Sequence, residues 1–209
     1  MDRAPWSHNL HYHRLIVGLV PEGCRRALDV GCGEGRLARD LRTRAGHVTA
    51  LDRHAPTLAR AAADDGDGIA WVLGDLLSHP FVPESFDLVA SVATLHHMDT
   101  AAALARMGSL VRPGGTLVVV GLARARSVAD IPYELAGLAL TRVYNRIRRP
   151  VAVGAPVVWP PPLTYGQTRA AAQATLPGVD YRRRALHRYT LVWTKRPPHQ
   201  LGHYGSDRT

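Results

Sequence analysis

The apolar positions of the chain change period in a regular order. Over 27–30 they form a short run, Ala-Leu-Asp-Val. Gly31, Gly33 and Gly35 then interrupt it, and Leu37, Ala38 and Leu41 recur at helical spacing. This predicts a buried strand, a glycine-rich turn and an amphipathic helix. The same alternation continues downstream. It predicts a strand over 47–52, a helix over 55–63, a turn over 64–68 and a strand over 69–75. A proline-rich loop leads into a strand beginning at Phe86-Asp87 and running to Val92, followed by a helix over 100–110. A Pro113-Gly-Gly turn then feeds the β-branched run to Gly121, which reads as a strand buried on both faces and therefore parallel. Strands separated by helices in this order make a layered α/β sheet.

The pattern changes at both ends. Residues 124–178 hold a long helix over 129–147, a proline-rich stretch and a further helix over 165–176. A plain crossover needs far less chain, so this is an insertion expected to cap a pocket. Trp159 and Tyr165 flank Pro160-Pro-Pro162; they either wall that pocket or anchor a rigid loop. Residues 179–195 read as two strands in hairpin order, and 196–209 as a mobile tail. At the other end, 15–20 form a short helix preceded by Trp6-Ser-His-Asn-Leu-His-Tyr-His13. Residues 1–24 are read as a lid over the site, contacting ligand through His8, Asn9, His11 or Tyr12. The plainer alternative is a surface segment with Ser7 or Asn9 as an N-cap.

Chemistry concentrates at the ends of the predicted strands. Glycines between strand and helix let a ligand approach the backbone, and the helix start offers N–H groups. The spacing is G-x-G-x-G and not the G-x-G-x-x-G of dinucleotide sites. Asp29 before it and Glu34 within it would repel a pyrophosphate and suit a ligand carrying an ammonium, a ribose and a sulfonium. Asp52 ends the next strand, twenty-one positions after Gly31; an acid at about that distance reaches ribose hydroxyls. Asp75 ends the strand after that.

Asp29, Gly31, Cys32, Gly33 and Gly35 match, residue for residue, the D-x-G-C-G-x-G turn of class I S-adenosylmethionine (SAM) methyltransferases. Phe86-Asp87, Leu95-His-His97 and the Arg112-Pro-Gly-Gly115 turn resemble the type 11 group of that family. The resemblance covers 25–122 and, with the final hairpin, extends to 195. It implies a Rossmann-like, seven-stranded, mostly parallel sheet with an antiparallel last strand, helices on both faces and a cap inserted after the fifth strand. It makes 25–195 the SAM-binding domain. It implies cofactor contacts from Asp29, Gly31, Cys32, Gly33, Gly35, Asp52, Asp75, Leu76 and the backbone near Ser91, with Arg53 covering the adenosine and S-adenosylhomocysteine as product. A base is needed only if the acceptor must lose a proton; the candidates, in order, are His96, His11 and His13. The competing reading is that one of His96 and His97 packs against the adenosine and the other caps the helix beginning near Asp99. No set of carboxylates is spaced to hold magnesium, so a metal-free, in-line transfer is expected. Ser91-Val-Ala-Thr94 stands where enzymes that methylate nucleic-acid bases carry [DN]-P-P-[YF], which disfavours nucleic acid and points to a small-molecule acceptor such as a natural product.

Composition adjusts this picture little. The 209 residues suffice for one domain with a full core, and 46% are apolar, as in ordinary soluble proteins. No apolar run could span a bilayer, and His8, His11 and His13 stand where a secretory signal would be unbroken, so the cytoplasm is expected. Cys24 and Cys32 are the only cysteines and read as reduced thiols, Cys32 beneath the glycine turn. The net charge of +9 is carried almost entirely by arginine, since Lys195 is the single lysine. That matches the coding bias of a GC-rich genome better than a nucleic-acid surface. Arg142, Arg146 and Arg149 are expected on one helical face, either solvated or binding an acidic partner, with RNA or protein methylation as the alternative function. A non-catalytic SAM-binding module is the third reading.

Overall fold

The computed structural model describes residues 5–63, 68–151 and 159–197. Residues 64–67 of the turn expected over 64–68, residues 152–158 of the insertion and the tail beyond 197 lie outside the described residues. In chain order the elements are β1 (Pro5–Trp6), α1 (His13–Gly18), β2 (Arg26–Val30), α2 (Arg36–Arg42), β3 (His47–Asp52), α3 (Ala55–Ala63), β4 (Ile69–Leu73) and β5 (Phe86–Val92). There follow α4 (Thr100–Leu110), β6 (Val111–Gly121), α5 (Ile131–Ile147), β7 (Arg149–Pro150), α6 (Tyr165–Thr175), β8 (Asp180–Arg184) and β9 (Arg188–Thr194).

Seven strands form one sheet in the order β4-β3-β2-β5-β6-β9-β8. Pairing is parallel from β4 to β6, while β9, the last strand in the chain, runs antiparallel to both β6 and β8. Alternate residues of the central strands enter different cores. Leu28, Leu117 and Val119 pack toward α4 and α6; Ala27, Val118 and Val120 pack toward α1, α2 and α3. Helices therefore cover both faces, which is why these strands are apolar throughout. β2 pairs with β3 on one side and β5 on the other, so the chain changes direction across the sheet there. In open α/β sheets the crevice at the carboxyl ends beside such a switch is where ligands bind.

Several boundaries differ from the sequence reading: α1 spans His13–Gly18 and not 15–20, and β6 begins at Val111 and runs through the Pro113-Gly-Gly expected as a turn. β4 ends at Leu73, and Asp75 stands in the turn after it. The long helix starts at Ile131 because Pro132 belongs in a first turn; a 3-10 turn over Val128–Asp130, capped by Ser127, precedes it. Arg149 lies beyond that helix, in the two-residue strand β7, so only Arg142 and Arg146 of the expected arginine face are helical. β7 pairs with β1 and ties the N-terminal segment to the end of α5. Among the described residues no helix is long and apolar enough to cross a membrane.

Asp87 holds the far end of the sheet. Its buried carboxylate accepts the N–H groups of Arg25 and Arg26, both at 2.8 Å, and pairs with Arg112. It thus fixes the start of β2 to the start of β5. Asp87→Ala should cost about 2–3 kcal/mol, because it strands two backbone donors and a cation. Urea denaturation checks this, and a loss under about 0.5 kcal/mol would contradict it.

Candidate active site

The carboxyl ends of β2 to β5 open onto one cavity of about 540 Å³. The turn after β2 forms its floor. Gly31, Gly33 and Gly35 have φ of 72°, 52° and 73°, the left-handed region. A Cβ at Gly33 would meet nothing within 4 Å, so the backbone there faces open space; one at Gly35 would strike Trp71 at 2.2 Å. The turn's N–H groups are not left for an anion. Gly33 N–H donates to Asp52 Oδ2 at 2.8 Å, and Asp52 Oδ1 accepts His54 N–H at 2.8 Å. The protein has already placed negative charge where a phosphate would sit, so the remaining lone pairs of Asp52 call for donors.

Asp29 sharpens this. It is 1% exposed and lines the cavity, and its Oδ2 has no hydrogen-bond partner among the described residues. Burial pushes its carboxyl up to about 7, the Asp52 charge adds to that, and the Ala38 N–H opposes it. Asp75 lines the same cavity; its Oδ1 accepts Leu77 N–H at 2.8 Å, and Leu76 is buried beside it. Three carboxylates from three successive strand ends thus converge on one crevice, suited to ammonium and hydroxyl donors. Among the described residues, no three His, Cys, Asp or Glu side chains are grouped to hold a metal ion.

Comparison with known proteins decides the family. An uncharacterized methyltransferase of Mycobacterium tuberculosis is 40% identical over 195 residues, 92% of this chain and 98% of that protein. The chain belongs to the class I SAM-dependent methyltransferases. The family described as "Methyltransferase domain" matches residues 28–119 of this methyltransferase. The phthiotriol/phenolphthiotriol dimycocerosates methyltransferase 1 of Mycobacterium ulcerans is 32% identical over 150 residues, 69% of this chain and 55% of that protein. The fold is shared with an S-adenosylmethionine-dependent methyltransferase from Mesorhizobium loti: TM-score 0.60, 22% identity, 89% of this chain and 97% of that one.

In the methyltransferase, most residues singled out from sequence lie together. Asp29, Gly31, Cys32, Gly33, Asp52, Arg53, Asp75, Leu76, His13 and His96 all line the cavity. Gly35 stands behind the turn as the N-cap of α2, and Ser91 is fully buried with its hydroxyl on Val30 O at 3.0 Å. Cys32 is buried beneath the turn, and burial, with Asp29 and Asp52, pushes its thiol far above its ordinary value. His11 is elsewhere: it lines a separate small pocket with Trp6 and Tyr144, which removes the geometric basis for a role as base. His13 is tied to Asp40 by its Nδ1 at 2.7 Å. His96 lies against His97 with ring centroids 4.1 Å apart and planes tilted by 38°, and its buried Nδ1 has no partner among the described residues. Burial, then the charges of His97 and Arg188, pull it down to about 4, so it is neutral at physiological pH. The helix cap expected from the histidine pair is instead Asp99, which accepts Ala102 N–H at 2.8 Å.

The opposite wall comes from residues far apart in sequence. Ser7, Asn9 and Leu10 of the N-terminal segment, Leu122 after β6, and Arg188 at the start of β9 all face the cavity. Arg188 had no sequence signal: it is one of a run of arginines, and only the antiparallel pairing of β9 with β6 brings it to this edge.

Asp29 also sets a pH dependence. Because burial raises its folded-state value from 3.8 to about 7, its ionisation costs the folded state. That cost is complete above about pH 7 and absent below about pH 4, so this group's contribution to stability falls as pH rises through that window. Ligand-free Asp29→Asn should therefore melt higher than wild type at pH 8, by about 2–4 °C or more. The difference should shrink as pH is lowered toward 4. Melting curves at both ends of the window test this; a variant less stable at pH 8 would refute an uncompensated carboxylate.

Proposed function

We propose that this methyltransferase binds SAM in the acidic crevice and transfers its methyl group to a small-molecule acceptor held against the opposite wall. The observation that carries the reading is that Asp29, whose buried Oδ2 has no partner among the described residues, lines the same cavity as Asp52 and Asp75. Bound SAM supplies a methyl carbon already activated by its sulfonium, so the chemistry itself requires no Lewis acid. Asp29 accepts from the ammonium, which resolves its unpaired charge. Asp52, oriented by Gly33 and His54 N–H groups, accepts from ribose hydroxyls. Asp75 and the Leu76 N–H read the adenine edge, as the family resemblance implies, and Arg53 covers the adenosine. Open backbone at Gly33 permits close approach.

The acceptor meets the cavity at Leu122, Met98 and His96. Neutral His96 accepts a hydrogen bond there. A group with a value near 4 is a weak base, so His96 orients the nucleophile and removes a proton only from an acidic acceptor. Ser7, Asn9 and Leu10 of the N-terminal segment and Val151 after β7 cover the cavity and exclude water, whereas α6, expected in the cap, packs into the core against α4. A concave cavity of about 540 Å³ supports a small molecule over a polymer, and the Mycobacterium ulcerans relative, named for methylating phthiotriol-type compounds, is consistent with that.

Titration calorimetry with SAM tests the cofactor assignment. Affinity should rise with pH through about 7 in wild type, because Asp29 must lose its proton to receive the ammonium, and proton release should accompany binding at pH 6. Asp29→Asn should bind more weakly with a flat pH profile, and Asp52→Ala at least about tenfold more weakly at every pH. Equal affinity for wild type and Asp52→Ala would remove the ribose assignment.

A further inference from the structure

Arg188 opens β9 and is 7% exposed. Because β9 runs antiparallel to β6, with Gly121 paired to Tyr189, Arg188 emerges at the edge where β6 ends, beside Leu122. Its Nη2 donates to Asn9 Oδ1 at 2.8 Å. Its Nη1 has only two long contacts, to Leu186 O at 3.4 Å and His187 O at 3.3 Å, within its own turn. Its buried Nε has no partner among the described residues.

No carboxylate among the described residues lies within ion-pair distance of this guanidinium. Three other arginines that reach into the structure have acceptors beside them: Arg183 has Asp130 and Glu134, Arg112 has Asp87, and Arg106 has the carbonyls of Leu76, His79 and Phe81. The titratable side chains that feel Arg188 are His8, His96, Tyr12 and Tyr165. All four are neutral near pH 7, since burial lowers the two histidines and raises the two tyrosines. Burial pulls Arg188 down to about 10, so it stays charged. A buried cation without an anion costs several kcal/mol, and it is tolerated where a ligand provides the missing charge. Its fork of N–H donors, with Nε free, is shaped for an oxyanion.

We propose that Arg188 is the specificity-determining residue for the acceptor, and that the acceptor is an acidic small molecule whose carboxylate or phosphate oxygens pair with the guanidinium, steadied by Asn9. This rests on the methyl-transfer reading above and names its substrate class. The carboxylates of Asp29, Asp52 and Asp75 then serve the cationic cofactor, and Arg188 serves an anionic acceptor in the same cavity.

The test has a direct arm and a turnover arm. In the first, the arginine Nε–H resonances of full-length wild type are followed during titration with benzoate and, separately, inorganic phosphate, with S-adenosylhomocysteine absent and present. Saturable movement of the Arg188 resonance by either anion is expected, and the anion that binds tighter identifies the source of the oxyanion. Arg188→Gln should weaken that binding at least about tenfold and Arg188→Lys less. S-adenosylhomocysteine affinity, measured on the same variants, should stay within about twofold of wild type, and Arg188→Gln, relieved of the uncompensated charge, should melt no lower than wild type. An Arg188 resonance that neither anion moves overturns the proposal, whether or not the variants fold. In the second arm, a metabolite extract is split by anion exchange before reaction with methyl-labelled SAM. Label entering only from the retained, acidic pool supports the proposal, and label entering equally from the neutral pool, unchanged in Arg188→Gln, overturns it. Failure of the cofactor reading would show separately, as absent S-adenosylhomocysteine binding in wild type.

Discussion

The hydrogen bond from Gly33 N–H to the Asp52 carboxylate is the interaction on which the site depends. It joins the turn after β2 to the end of β3, and it fixes the electrostatic sign of the crevice. A glycine turn at a strand end is by default an anion site, since its N–H groups converge. Here one of those donors is taken by an internal acid, and Asp29 stands buried just behind. The same backbone geometry that would receive a pyrophosphate is converted into a receptor for cationic and hydroxyl-bearing groups. Two parallel strands in adjacent register suffice to do this: Val30 pairs with Leu51, so the residues beyond them face each other.

The opposite wall is built at a cost. Leu186 and His187, in the turn between β8 and β9, have φ of 57° and 58° without being glycine. Two such residues cost roughly 1–2 kcal/mol each. Contacts from outside the hairpin hold them. Tyr12 donates to Ala185 O at 2.5 Å, Asn9 receives Arg188, and His187 Nδ1 pairs with Glu134 of α5 at 2.7 Å. His8 bridges to Thr141 of the same helix, at 3.0 Å. The N-terminal segment, α5 and the hairpin turn therefore stabilise one another, and the turn stays in a conformation that keeps Arg188 against the cavity.

Local chemistry was legible in the sequence, and long-range pairing was not. The helix over Thr100–Leu110, the strand His47–Asp52 and the apolar part of β6 up to Gly121 follow directly from apolar period and helix-starting residues, whereas β6 begins at Val111 and carries the Pro113-Gly-Gly read as a turn within an irregular stretch of its pairing with β5. The acids at Asp29, Asp52 and Asp75 were readable because each lies at or just past the end of its own strand, where the fold fixes its edge. The N-terminal histidines were not separable from sequence. His8 braces α5, His11 faces a side pocket and His13 meets Asp40, because a 3-10 turn followed by a six-residue helix points them in different directions. Arg149 left the helical face because the chain turns extended at Arg148, whose φ and ψ are −128° and 163°. Arg188 was invisible among Arg182, Arg183 and Arg184, since its importance lies in a partner 179 positions away and in the absence of an acid, neither of which any window of sequence contains.

This division has a consequence for catalysis in the proposed reaction. The ammonium, ribose and adenine keep their charge while the methyl group moves, so Asp29, Asp52 and Asp75 hold reactant and transition state alike. Binding of that kind lowers the concentration of cofactor needed and leaves the chemical step unchanged. The rate must then come from the other wall, where the nucleophile is set in line with the carbon–sulfur bond, and orientation of that kind is worth up to roughly 7–11 kcal/mol. His96, Leu122, Asn9 and Arg188 belong to four separate segments, and their relative placement depends on the strained turn and the braces that hold it. In the proposed reaction the acidic crevice therefore selects the cofactor, while the speed and selectivity of transfer rest on the side of the cavity that the sequence disclosed least.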